Sequence, residues 1–137
     1  MKVEEALNLL KREGYKYTDK RRDMLYFFSS EDRYRTAKDL IEFMEPNYEG
    51  ISFDTIYRNL HMFNEIGILE ATDLNGEKHF RMKCHHHHHH HFICSECGVT
   101  KEIRSCPMDN IQEELLNFAI EDHKFEIYGR CPECQQL

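Results

Sequence analysis

An α+β chain is predicted by three observations. Four segments carry apolar residues at three- and four-residue spacing, a period-two stretch turns about Asn75-Gly76, and two CxxC pairs, Cys94-Ser-Glu-Cys97 and Cys131-Pro-Glu-Cys134, mark the C-terminal part. Val3, Leu7 and Leu10 make one face of a first helix that stops at Gly14. Thr18 or Asp19 caps a second helix with Met24, Leu25, Phe27 and Phe28. Thr36 opens a third through Leu40, Ile41 and Met44, ended by Pro46. Ser52 opens a fourth through Ile56, Leu60 and Phe63, ended by Gly67. Residues 68–73 and 77–82 then flank the Asn-Gly turn as a hairpin. Helices followed by a hairpin make a winged helix, a variant of helix-turn-helix.

In a winged helix the fourth helix reads DNA. Its first turns carry Ser52, Asp54, Thr55, Tyr57, Arg58 and Asn59. Arg58 can pair with guanine or phosphate, and Tyr57 can pack on a thymine methyl or reach the backbone. The plainer alternatives are an internal ion pair for Arg58 and a half-buried core position for Tyr57. Lys16, Lys20, Arg21 and Arg22 suit phosphate contacts or solvated charge rather than base reading. Winged helices also serve as protein-interaction modules, so the fold alone does not assign DNA.

The C-terminal part is organised around metal. Two CxxC turns supply the four sulfurs of a tetrahedral zinc site, and a site filled by sulfur leaves no position for water or substrate. Disulfides or a redox pair are the alternatives; the absence of a secretory leader favours reduced thiols and zinc. Gly98 and Gly129 beside the pairs are the small residues expected where backbone folds closely round an ion. Seven consecutive histidines, His85 to His91, lie between Cys84 and Cys94, too far inside the chain to be an appended tag. Read as a strand, the run puts His87, His89 and His91 on one face and His86, His88 and His90 on the other, so one strand can feed two metal sites. Partner ligands for these sites are Glu70, Cys84, Glu102, Asp109 and His123. The alternative is a solvated polyhistidine loop that buffers metal, which suits His85 and His86 best. Cys106, just before Pro107, reads as the boundary of a helix running to about Ala119 rather than as a ligand. Met24, Phe27, Phe28, Leu115, Leu116 and Phe118 read as core or dimer interface.

Charge and length limit the functions available. The chain has 137 residues and a formal net charge of −7, enough for one ordinary domain or two small ones, the smaller helped by a metal staple. Residues 84–137 hold 4 basic and 9 acidic side chains, whereas residues 11–38 hold 9 basic and 5 acidic. Acidity therefore does not exclude DNA, but it predicts weak non-specific binding and dependence on a neutralising ligand. No apolar stretch reaches membrane-spanning length, and a soluble, cytoplasmic protein with no membrane partner is expected. A zinc hydrolase would need an open coordination position and a base, for which only Glu102 is placed, so no enzyme and no small-molecule substrate are expected.

The stretch Ser52-Phe-Asp-Thr-Ile-Tyr-Arg-Asn-Leu60, the hairpin, the histidines before Cys94-x-x-Cys97-Gly98, and Phe125-Glu-Ile-Tyr-Gly129 before the last CxxC resemble the ferric uptake regulator family, in order and along nearly the whole chain. Within it the chain is most similar to zinc uptake regulators of Gram-positive bacteria. The resemblance implies a homodimeric repressor that binds palindromic operator DNA when metal-loaded and shuts off metal-uptake genes. It also implies a winged-helix DNA-binding domain over 1–83 and a small α/β dimerisation domain over 84–137, with a hinge at about 82–86.

By the same resemblance, Cys94, Cys97, Cys131 and Cys134 form the structural zinc site. Glu70, Cys84, His89, His91 and Glu102 form a regulatory zinc site, with His87 as an alternative ligand. His88, His90, Asp109 and His123 form a second site in the dimerisation domain. On the winged-helix reading of the residues, Lys16, Arg21, Ser52, Thr55, Tyr57 and Arg58 are the DNA-facing positions. Cys84 has the parity of the even face and must reach the odd one through a bend. Iron and peroxide sensors of the family place a histidine near the start of the third helix, where this chain has Tyr34. Losing that nitrogen while gaining the Cys84 thiolate favours zinc over ferrous iron. A sensor of iron, nickel, manganese or peroxide, and a zinc storage or delivery protein, are the alternatives.

Overall fold

The computed structural model describes residues 1–84 and 89–136, and the chain divides into two compact units, Met1–His85 and His86–Leu137. In the first unit, α1 spans Val3–Arg12, α2 Asp19–Ser29, α3 Ala37–Met44 and α4 Phe53–Glu65, followed by strands β1 (Leu69–Leu74) and β2 (Glu77–Met82). Helices α2, α3 and α4 each start at a side-chain cap. Thr18 accepts from the Arg21 amide, Ser52 from the Thr55 amide, and Thr36 with Asp39 closes a reciprocal capping box. The apolar stripes meet in one core: Ala6, Leu10, Met24, Leu25, Phe28, Leu40, Met44, Ile56, Leu60, Phe63, Ile68 and Leu69 are almost fully buried.

The hairpin pairs antiparallel from Leu69↔Met82 to Leu74↔Glu77. Asn75 and Gly76 have φ of 54° and 79°, the double positive φ that a type I′ turn demands. Arg35 bridges Phe80 with two backbone bonds of 2.8 Å, which anchors the wing to the segment before α3.

In the second unit, β3 (His90–Cys94) is the central strand of three. It pairs antiparallel with β4 (Thr100–Ile103) and parallel with β5 (Glu126–Gly129). Gly98 takes φ 76°, a left-handed position in the Cys94–Cys97 turn. Gly129 is small for another reason than the one expected: a Cβ there would stand 3.2 Å from the Phe92 ring, so close strand packing rather than metal requires it.

The helix expected to run to about Ala119 is short. It covers Met108–Ile111 (α5), passes into a 3-10 turn at Gln112–Leu115, and ends where Leu116 takes ψ 137° and Asn117 φ 76°. Neither turn has a fully buried residue, and Leu116 and Phe118 are each 70% exposed. With no face buried within this unit, packing does not hold the longer helix. A last turn, α6 (Pro132–Gln135), carries the final cysteine.

Candidate metal centres and recognition helix

Cys94 ends β3, Cys97 lies in the turn after it, and Cys131 and Cys134 flank the start of α6. Their four sulfurs lie within 4.8 Å of one another. Cys97 Sγ and Cys131 Sγ are 3.7 Å apart, against about 3.8 Å for the edge of a tetrahedron with zinc–sulfur bonds of about 2.3 Å. The amides of Cys97 and Cys131 donate to Cys94 Sγ at 3.5 and 3.4 Å. Burial opposes ionisation of Cys94, yet those amides and that of Glu96, with the Cys97 thiol, outweigh it and bring the thiol down to about 6. Burial pushes Cys97 up, and hydrogen bonding to Cys131 followed by burial pushes Cys134 up. The donors fit a tetrahedral soft cation with a thiolate already favoured at one corner.

On one face of β3, His89 and His91 have ring centroids 4.7 Å apart. His91 stands opposite Glu102 in the β3–β4 register, and His89 Nδ1 is 3.9 Å from Glu102 Oε1. That nitrogen is buried and finds no hydrogen-bond partner among the described residues, an arrangement that costs free energy until something takes the lone pair or proton. A metal ion satisfies it, so these residues fit one. Cys84, half-buried, is the last described residue of the first unit; His89 lies five positions further on, a chain length of at most about 18 Å.

The opposite face carries His90, only 8% exposed. His90 Nε2 lies 3.2 Å from His123 Nε2, and Cys106 Sγ lies 3.6 Å from the same His123 nitrogen. Cys106, read from sequence as a helix boundary and not a ligand, therefore sits among donors, because the chain before α5 returns toward β3. Asp109 is exposed on α5 and is not one of the three. His87 and His88 lie outside the described residues.

Glu70, on β1, faces Arg81 across the hairpin, with Arg81 Nε 3.4 Å from Glu70 Oε1. Arg81 is 4% exposed, also reaches Asp32 at 2.9 Å, and stacks 5.7 Å from the ring of buried Tyr34. A guanidinium thus packs against Tyr34, and within this unit Glu70 is one of that guanidinium's partners.

On α4 the exposed residues line up toward solvent. Tyr57 is exposed and stacks on Phe53 at 6.1 Å, and Arg58 pairs with Asp54 at 3.2 Å on the open surface. Ser52 is spent on the cap and shares a hydrogen bond with Thr55 Oγ1 at 3.0 Å. Arg21 differs from the rest: its Nε donates to Asn59 Oδ1 at 3.0 Å and its Nη1 to the Lys16 carbonyl at 2.6 Å. It braces α4 against the start of α2. Lys20 lies 5.8 Å over the Tyr48 ring.

The family model described as "Ferric uptake regulator family" matches residues 12–128. A curated relative from Staphylococcus epidermidis named "Ferric uptake regulation protein" is 53% identical over 99% of this chain and 98% of its own length. Among solved structures, the Helicobacter pylori ferric uptake regulator, described as having three functional metal binding sites, superposes with TM-score 0.76 at 18% identity, covering 100% of this chain and 96% of the other. A zinc uptake regulator complexed with zinc and DNA superposes with TM-score 0.69 at 22% identity over 98% of this chain and 93% of that one.

Proposed function

Because the chain belongs to the ferric uptake regulator family, whose members are metal-responsive transcription regulators and not enzymes, we propose that its metal is zinc. On this reading the protein is a cytoplasmic repressor whose zinc-loaded homodimer binds palindromic operator DNA and silences zinc-uptake genes. One observation carries the choice. The buried imidazole nitrogen of His89, without a hydrogen-bond partner among the described residues, lies five positions after a thiol, Cys84, while Tyr34 stands where the family resemblance places the histidine of iron sensors. Nitrogen with thiolate suits zinc; ferrous iron is better served by nitrogen and oxygen donors.

Cys84, His89, His91 and Glu102 would hold the regulatory ion, with Glu70 and His87 as further donors, and Cys94, Cys97, Cys131 and Cys134 the structural one. Bound zinc supplies a divalent charge and a tetrahedral coordination demand. The chain supplies the coupling: its donors come from the end of the wing and from the β3–β4 face, so filling the site favours one arrangement of the winged helix for DNA. A preference of about 1–3 kcal/mol between DNA-competent and incompetent states gives useful switching. Tyr57 and Arg58 read the major groove, and Lys16 and Thr55 position the backbone.

The test is anisotropy of a labelled duplex carrying a candidate palindromic operator, titrated under buffered zinc, anaerobic ferrous iron or manganese. Affinity should rise with zinc at concentrations above those that fill the four-cysteine site, and Cys84→Ser should abolish that rise while retaining the structural zinc. Normal zinc-dependent binding by Cys84→Ser would sink the assignment of the sensor site. The iron reading is favoured by the name of the 53% identical relative; it would be upheld by a response to ferrous iron at physiological concentration with none to zinc.

A further inference from the structure

We infer that Cys106 is a metal ligand, and that with His90 and His123 it forms a thiolate-containing site for zinc or another borderline-soft divalent cation. The inference deepens the proposed function, since it rests on the reading in which His90 and His123 serve a second metal site. It changes that site's chemistry: a donor set of histidines and a carboxylate suits ferrous iron or manganese as well as zinc, whereas replacing the carboxylate with a thiolate favours zinc.

The geometry points to coordination. A tetrahedral ion with metal–nitrogen bonds of about 2.05 Å and a metal–sulfur bond of about 2.3 Å separates its nitrogens by about 3.3 Å and nitrogen from sulfur by about 3.6 Å. His90 Nε2 and His123 Nε2 are 3.2 Å apart, and Cys106 Sγ is 3.6 Å from His123 Nε2. All three donor atoms lie within 4.8 Å of one another. They come from separate parts of the chain. His90 begins β3, Cys106 precedes α5, and His123 lies between the 3-10 turn and β5. The His90 ring is also set edge-on to Phe125 at 5.5 Å, which fixes the plane in which its nitrogen points. Convergence of a thiol and two imidazoles from three segments, beside an aromatic that orients one of them, is how a metal site is built and how a solvated cluster is not. Asp109 lies on the exposed side of α5 and is free to face solvent without altering this set.

The donor set can be read with cobalt(II), whose bond to a thiolate gives a near-ultraviolet charge-transfer band. The full-length protein with its structural zinc in place and Cys84→Ser is titrated with cobalt(II) under anaerobic conditions, beside the same protein carrying Cys106→Ser. The expected result is a thiolate–cobalt band in the first and its loss in the second. Zinc affinity of the site should fall on the order of tenfold or more, and Asp109→Asn should leave the band in place. As a second measurement, zinc should slow alkylation of Cys106 in the otherwise unaltered protein, scored by peptide mass. If the cobalt spectrum and zinc affinity are the same with and without Cys106 while His123→Ala lowers the zinc stoichiometry, Cys106 is not a ligand although the second site exists. If His123→Ala also leaves the stoichiometry unchanged, the second site itself falls. Neither outcome touches the Cys84-dependent operator response, which is measured separately.

Discussion

At the scale of single residues, the chemistry lies in which donors carry protons. Cys94 is held at about 6 by amides that overcome its burial, so it is a thiolate above that pH, while Cys97 and Cys134 are pushed up and remain protonated at neutral pH. Loading the four-cysteine site near pH 7 should therefore expel at least two protons, those of Cys97 and Cys134. Affinity should rise with pH until those thiols ionise unaided, and fall steeply below about pH 6 as Cys94 is protonated too. Calorimetry in buffers of different ionisation enthalpy measures the release, and none at pH 7 would contradict this sharing of protons. Arg81 makes a second prediction. Its cationic head is buried with Nη1 unbonded, and its partners Glu70 and Asp32 are partly and largely exposed. Arg81→Met should thus cost only about 1–2 kcal/mol in urea denaturation, less than a fully buried pair, because the stranded carboxylates can reach water. Sequence named Glu70 as a metal donor and could not show this partner, since the pairing depends on hairpin register.

At the scale of elements, α4 separates two kinds of basic residue that look alike in sequence. Arg58 lies on the open face paired with Asp54 at i,i+4, whereas Arg21 donates one hydrogen bond to Asn59 on α4 and another to the Lys16 carbonyl ahead of α2. Arg58→Ala should weaken operator binding by about 1–3 kcal/mol with little change in melting temperature. Arg21→Ala should lower stability by about 1–2 kcal/mol by leaving Asn59 and the Lys16 carbonyl short of a donor. Equal loss of operator affinity at unchanged stability for both variants would contradict this division. Helix starts and the hairpin turn were legible because Thr18, Thr36, Ser52 and Asn75-Gly76 act locally, through caps and positive φ. The helix after Pro107 was misjudged because its apolar spacing said nothing about whether a face would be buried.

For the molecule as a whole, the two units differ in what holds them. The first has a continuous apolar core from Ala6 to Met82. In the second, the fully buried apolar side chains among the described residues are Ile93 and the cysteines Cys94 and Cys131, while Leu116, Phe118, Ile127 and Tyr128 are exposed. So small a core would be helped by the proposed metal and by the proposed partner subunit. Chelation under conditions that strip the four-cysteine site should unfold the second unit and dissociate the proposed dimer, while the winged helix still melts cooperatively near its usual temperature. Sedimentation and differential scanning calorimetry would show this, and a folded dimer without metal would contradict it. Sequence by itself determined the winged helix, the four-sulfur site and the opposite facing of His90 from His89 and His91, because capping, turn conformation, CxxC spacing and strand parity act over a few residues. Only the tertiary structure decided that Cys106 meets His90 and His123, that Arg81 holds Glu70, and that Arg21 braces α4. Those contacts join positions 11 to 38 residues apart in the chain, and which side chains meet over such distances is set by strand register and chain return, not by local spacing.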